Sequence, residues 1–330
     1  MRAPKIKKIN PSAAVEGGKI TIEGSGFDPE EAATLQVSFN GIPARPFLVA
    51  KNRIVTPVPD QAISGPLTVI IKDKTSNPYP FVIGQKLASS INPVDSPVFD
   101  LEGNLYTTYS GKRGEEVAVS VFKIDPQGNL NPFLSNIPNA TSLAFDSEGN
   151  LYVSSRFEGI VYKANRSADV TVFAKDLGAP TGLAFDQKGV LYVGDRNGRI
   201  LRVSNTGEVS TYAEIPESMV AFHIALDLEG NLLVTNPGTS SHNSILLIDR
   251  FGKVIQLCNG LGRPQGLTVD DAGNIYVCEA KAGESSIYKI STQGEMSPVV
   301  SGPVMVVLAF DRNRNLAVAT QDSIYVVPNL

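Results

Sequence analysis

The sequence predicts an all-β chain: a small immunoglobulin-like β-sandwich, then a six-bladed β-propeller closed by a strand on the propeller's N-terminal side. Three observations predict it. One phrase recurs six times at a nearly constant interval, the residues before about 84 lack it and read as short alternating strands, and the last copy stops one strand short.

The copies are "SPVFDLEGNLYTTY", "SLAFDSEGNLYVSS", "GLAFDQKGVLYVGD", "HIALDLEGNLLVTN", "GLTVDDAGNIYVCE" and "VLAFDRNRNLAVAT". Their aspartates, Asp100, Asp146, Asp186, Asp227, Asp270 and Asp311, lie 46, 40, 41, 43 and 41 residues apart. That period suits four short strands with their turns, one propeller blade. "LAF" is continuously apolar because a blade buries both faces between its neighbours. The small residue within it (Ala144, Ala184, Ala225, Ala309) suits an innermost strand, where blades crowd the axis. "DxxGN" is turn chemistry: the Asp side chain accepts from nearby backbone N–H groups, and Gly supplies a positive φ. "LYV" opens the second strand. Third strands such as "GIVYKA" and fourth strands such as "VSTYAEI" follow. The last copy ends at "SIYVVPNL" with three strands, and "LASSINPVDSPVFD" aligns without a gap on "FLSNIPNATSLAFD". Residues 84–91 are therefore expected to complete the last blade and remove the open edge.

Residues 1–83 carry "KIKKI", "KITIEG", "LQVSF", "PFLVA", "RIVTPV", "LTVIIKD" and "YPFVIG" with Pro and Gly between them, a β-sandwich pattern. The division is residues 1–83 for the sandwich and 84–330 for the propeller. No long linker separates them, so contact is expected, although the sandwich is expected to fold separately and to be dispensable for propeller folding.

Hydrophobic residues at 42% and charged residues at 19% describe a globular chain. Lys and Arg number 10 against 7 Asp and Glu in residues 1–83, and 19 against 26 in the rest, so an acidic propeller argues against a nucleic-acid partner. No stretch approaches a membrane span. "MRAPKIKKIN" has a basic head without an apolar run, so the expectation is a cytoplasmic monomer, exported only if a leader has been removed. Cys258 and Cys278 end apolar runs and read as buried free thiols.

Ligands of propellers gather at the mouth of the central channel, on the face that collects the fourth-to-first connections and the second-to-third loops. Starts of the inner strands place Asp95, Thr141, Thr181, Phe222, Gln265 and Val306 there, with His223 alongside. Ends of the second strands add Tyr109, Ser155, Asp195, Asn236, Glu279 and Thr320, followed by Arg156 and Arg196. The candidate ligand-binding set is Asp95, Tyr109, Arg156, Asp195, Arg196, His223, Asn236, Gln265 and Glu279. His223 is the candidate general base, against the reading of a hydrogen-bonded channel residue. Asp195, Asn236 and Glu279 either converge on a cation or polar ligand, or cap loop backbones and pair with Arg156 or Arg196. His242 reads as a solvated loop residue. The DxxG turns lack the alternating oxygen spacing of calcium loops and lie on the other face.

The repeats resemble the NHL family of six-bladed propellers and, more loosely, the gluconolactonase and senescence-marker-protein family. "INPSAAVEGGKITIEGSGF", "VSFNGIPA" and "VTPVPD" resemble the TIG (IPT) immunoglobulin-like family, whose members are usually interaction or spacer modules. The gluconolactonase resemblance implies a divalent-metal site from a Glu in "EGPVW", an Asn before "GLA" and an Asp in "PDG". Here Asp95 stands for the Glu, Thr181 for the Asn and Gln265 for the Asp, so two of three strong ligands are weakened. No cofactor is expected, with Asp95 the only retained anionic position for Ca²⁺ or another divalent ion. Two functions follow. One is a non-catalytic binding protein that takes a peptide, glycan or protein partner at the mouth. The alternative is a metal-dependent, lactonase-like hydrolase there.

Overall fold

A computed structural model describes residues 3–330 except 92, 93, 116, 219, 239–241, 282 and 283, with backbone alone for 94, 95, 280, 281 and 284. Strands dominate throughout, and no helix is long and apolar enough to cross a membrane among the described residues.

Six four-stranded blades follow the six copies of the phrase. Blade 1 comprises Val94–Phe99, Leu105–Tyr109, Val121–Ile124 and Leu130–Leu134. Blade 2 begins at Ala140–Phe145, blade 3 at Pro180–Phe185, blade 4 at Ile224–Leu226, blade 5 at Pro264–Val269 and blade 6 at Met305–Phe310. Blade 6 takes its outermost strand, Gln85–Ser89, from the start of the propeller segment, paired antiparallel with Ser323–Val327. The ring closes as the sequence anticipates.

Each half of the repeated phrase has a visible role. Asp146 Oδ1 accepts from the N–H groups of Glu148 and Asn150 at 2.9 and 2.8 Å, and Oδ2 accepts from the Asn150 amide at 2.8 Å. Gly149, Gly189, Gly230 and Gly273 hold φ between +79° and +83°, as the turn requires. Tyr152 of "LYV" packs edge-on against Phe173 of its own blade and Phe185 of the next, with centroids 4.9 and 4.7 Å apart, and its hydroxyl donates to Asp146 at 3.2 Å. Tyr106 and Tyr276 repeat the arrangement with Asp100 and Asp270. The Asp thus ties the turn, and the Tyr ties that turn to the blade seam.

These turns make an acid-sensitive element. Burial opposes ionisation of Asp146, but the Asn150 amide and N–H, Lys163 and the Glu148 N–H outweigh it and hold the carboxyl below its ordinary value. Asp270 is lowered in the same way. A depressed folded-state value stabilises the protein above the unfolded carboxyl range, about 3.9, and that stability disappears as pH falls through the folded value. The melting temperature should therefore drop on acidification below about pH 4. Asp146→Asn should cost about 1 kcal/mol at pH 7 and converge on the parent as pH falls through the folded value, measured by thermal denaturation.

The sandwich packs Lys5–Asn10, Lys19–Ser25, Arg53–Pro57 and Leu48–Ala50 in one sheet against a second built on Gln36–Phe39, Gly65–Ile71 and Tyr79–Ile83. Ile20, Ile22, Val37, Phe39, Ile54 and Leu67 fill its core. The second sheet does not end at the domain. Tyr79–Ile83 pairs in parallel with Ala13–Ala14, which pairs in parallel with Met296–Gly302, the outer strand of blade 5. Ten strands therefore run through both units. Ala13 and Val15 join Tyr276, Cys278, Ile287, Val300, Met305 and Val327 in one apolar cluster. Gly84 alone separates the last sandwich strand from the closing strand. A Cβ there would lie 2.8 Å from Val327 and 3.0 Å from Val15, so only glycine lets the three segments meet.

Cys278 is buried, and burial pushes its thiol far up. Cys258 is only half-buried, a correction to the sequence reading, because its outer strand leaves one face of the blade open.

Candidate functional site

The mouth is built from loops that the ends of the second strands hold down. Ser155 donates to the Pro138 carbonyl at 2.6 Å, and the Asn236 amide donates to the Pro216 carbonyl at 2.8 Å. Glu279 Oε1 accepts from the N–H groups of Gly262 and Arg263 at 2.6 and 3.1 Å. In each case the partner lies in the connection leading into that same blade. One position, filled by different polar residues, satisfies backbone groups in a loop that has no strand partner.

Asp195 does this most completely. Its carboxylate is fully buried, and Oδ1 accepts from the Ala179 N–H at 2.9 Å, the Asn197 N–H at 3.1 Å and the Asn197 amide at 2.9 Å. Oδ2 accepts from Arg199 Nε and Nη2 at 2.9 and 2.7 Å. The loop-capping alternative therefore describes Asp195, but its arginine is Arg199 rather than Arg156 or Arg196. A tight turn carries the chain from Asp195 into the third strand, which sets Arg199 directly opposite in register. Asp195→Ala removes the acceptor of the Ala179 and Asn197 N–H groups and of the partly exposed Arg199, at a cost of about 1–3 kcal/mol. A fall in melting temperature of a few degrees is expected. A variant melting with the parent would show the pair to be dispensable.

The other candidates divide by burial. His223 is 6% exposed in the inner wall, where its backbone N–H donates to Thr235 Oγ1 at 3.1 Å. Phe222 beside it is fully buried, and its N–H donates to Thr181 Oγ1 at 3.4 Å. Thr181 thus serves the seam between blades 3 and 4. Tyr109, Arg156, Arg196 and Gln265 are half-buried around the mouth, and Arg156 Nη2 donates to Ser110 Oγ of blade 1 at 3.3 Å. Asp95 pairs with Thr108 in the ladder, and its side chain lies outside the described residues. His242 is exposed, as read from the sequence.

Asn139 escaped the sequence reading. It is buried, its amide donates to the carbonyls of Ser110 and Lys112 at 2.7 and 2.9 Å, and its Oδ1 accepts from the Gly114 N–H at 2.7 Å. It thereby anchors the long loop of blade 1 to blade 2. The only signal was an Asn at the Pro-Asn step before an inner strand, which reads as ordinary turn chemistry.

Among the described residues no three His, Cys, Asp or Glu side chains cluster closely enough to hold a metal. With Thr181 facing a backbone N–H, and Asp195 and Glu279 engaged by loops, the described donors do not fit a divalent cation. Two cavities open on the opposite, turn-bearing face. One, of about 250 Å³, lies between blades 1 and 2 beside Tyr106 and Arg166. The other, of about 470 Å³, lies between blades 5 and 6 beside Lys289 and Arg314. Both are gaps in the recurring Asp–Tyr–Phe seam.

Residues 4–83 match the IPT/TIG domain, and residues 175–203, within blade 3 and its approach, match the N-terminal strictosidine synthase-like family. No curated protein sequence matches the chain. Its fold is similar to that of an auxiliary nutrient binding protein from Bacteroides thetaiotaomicron VPI-5482, with a TM-score of 0.60 at 14% identity over 98% of this chain and 97% of that one. A candidate gluconolactonase gives a TM-score of 0.61 at 16% identity over 74% and 91% of the two chains. Virginiamycin B lyase from Staphylococcus aureus gives 0.56 at 15% identity over 73% and 96%. At such identities the likeness shows the fold: the first match spans both domains, the other two about three-quarters of this chain. The chain is an IPT/TIG domain joined to a six-bladed β-propeller.

Proposed function

We propose that the protein is a non-catalytic binding protein whose propeller mouth takes a peptide, glycan or protein loop. The observation that carries this reading is the engagement of the mouth carboxylates. Asp195 and Glu279, which a metal or acid–base site would need, hold loop N–H groups and Arg199 instead. Tyr109, Arg156, Arg196 and Gln265, half-buried around the rim, are long hydrogen-bonding or stacking side chains suited to recognition. The whole-chain likeness to an auxiliary nutrient binding protein supports the same class. The second reading, a metal-dependent lactonase, draws on the likeness to a candidate gluconolactonase.

Glycan and peptide arrays probed with the full chain test the proposal. A hit should bind at least tenfold more weakly to Arg156→Ala or Tyr109→Ala, about 1.4 kcal/mol or more. Chelator should leave the melting temperature unchanged. A chelator-induced fall restored by one divalent ion and abolished by Asp95→Ala, with lactone hydrolysis, would replace this reading by the hydrolase.

A further inference from the structure

We propose that the crevice between the sandwich and blade 5 is a binding site for a small oxyanion: a phosphate, sulfate or carboxylate group. The shared sheet creates the crevice. Because Ala13–Ala14 pairs with Val300 and Ser301, the "EGGK" turn that follows is carried over the mouth end of blade 5. It encloses about 120 Å³ lined by Gly17, Lys19, Ser285, Ser286 and Ser301, among others. Gly18 permits the approach, since a Cβ there would stand 2.5 Å from the Ser301 carbonyl oxygen.

The lining is rich in donors. Ser301 is 4% exposed, and its hydroxyl has no hydrogen-bond partner among the described residues. A buried hydroxyl left this way is destabilising, and native proteins rarely leave one without a ligand or water. Ser285 Oγ accepts from the Met305 N–H at 2.9 Å, which leaves its O–H hydrogen to donate. Lys19 brings a positive charge to the rim, over Phe47. No carboxylate lines the crevice among the described residues, and the neighbouring Glu16 is held by Lys86 at 3.1 Å. Serine hydroxyls and a lysine in one lining call for an anion with several oxygens. The volume admits one together with water, which needs on the order of 10–15 Å³ per molecule. This site lies between the domains, apart from the propeller mouth, and does not depend on what the mouth binds.

The test is thermal denaturation and calorimetry of the full chain in phosphate, sulfate or acetate against chloride at equal ionic strength. A saturable rise in melting temperature is expected with at least one oxyanion. Ser301→Ala should weaken that anion about tenfold or more, the loss of a charge-assisted hydrogen bond. In chloride the same variant should melt at or above the parent, because a partnerless hydroxyl has gone. Lys19→Ala, at an exposed position, should weaken the anion similarly and provides the answer should Ser301→Ala fold poorly. No saturable response beyond chloride would mean that water satisfies Ser301 and would overturn the proposal. An undiminished response in both variants would place the anion elsewhere and overturn it equally.

Discussion

Deleting residues 84–92 is expected to abolish cooperative unfolding and drive the protein into aggregates. The segment supplies a whole strand of blade 6, in register from Gln85 opposite Val326 to Ser89 opposite Ser323. Just beyond that strand, Ile91 is 1% exposed and packs with Leu105 and Ile124 of blade 1 and with Ala317, Ala319 and Ile324 of blade 6. It wedges the seam where the ring meets itself. Loss of Ile91 alone removes about 1.5–3 kcal/mol of burial, and loss of the strand exposes Ser323–Val327 as an open edge. Ile91→Asp isolates the wedge without shortening the chain, and a fall in melting temperature of roughly ten degrees is expected. Calorimetry of both variants provides the check. A deletion variant that melts as one sharp transition near the parent temperature would mean that the ring does not need its closing strand.

Removing the sandwich should have the second largest effect. The sequence suggests a dispensable module, and the shared sheet changes that expectation. Residues 84–330 alone would lose Ala13–Ala14 from the edge of blade 5 and Val15, fully buried, from the cluster containing Val300, Met305 and Val327. Burial of a valine is worth about 1.5–3 kcal/mol, and an uncovered apolar edge strand invites pairing with other chains. The truncated protein should therefore melt well below the full chain and self-associate in light scattering. A soluble monomer melting within a few degrees of the parent would restore the modular picture. Val15→Asp in the full chain tests the same contact.

What the sequence could reveal follows from which interactions are periodic. The blades were legible because Asp, Gly, Tyr and the inner apolar run recur at fixed offsets, each fixed by a turn or a seam repeated in blade after blade. The closing strand was legible through its ungapped match to an existing blade. At the mouth the position was predictable but its role was not. Asp195, Asn236 and Glu279 occupy one structural position with three chemistries, and only three-dimensional placement shows that all hold a loop. Arg199 was hidden because its partner is defined by hairpin register, which the order of rim residues along the chain does not encode. The shared sheet was hidden for a simpler reason. Ala13–Ala14 is two residues long, too short to carry any period.

The closing strand also sets an order of events in time. Residue 86 pairs with residue 325, so one partner leaves the ribosome long before the other exists. At about 5–20 residues per second, the wait is on the order of ten to fifty seconds. By the start of that wait nearly all of the sandwich strands have been synthesised, and Gly84 N–H donates to the Ala14 carbonyl at 2.9 Å, fastening the early strand to an early domain. A sandwich that folds first would serve the nascent chain as a holder. It would keep residues 85–89 beside the place where the last blade will arrive, and the propeller is completed only when the strand Ser323–Val327 emerges.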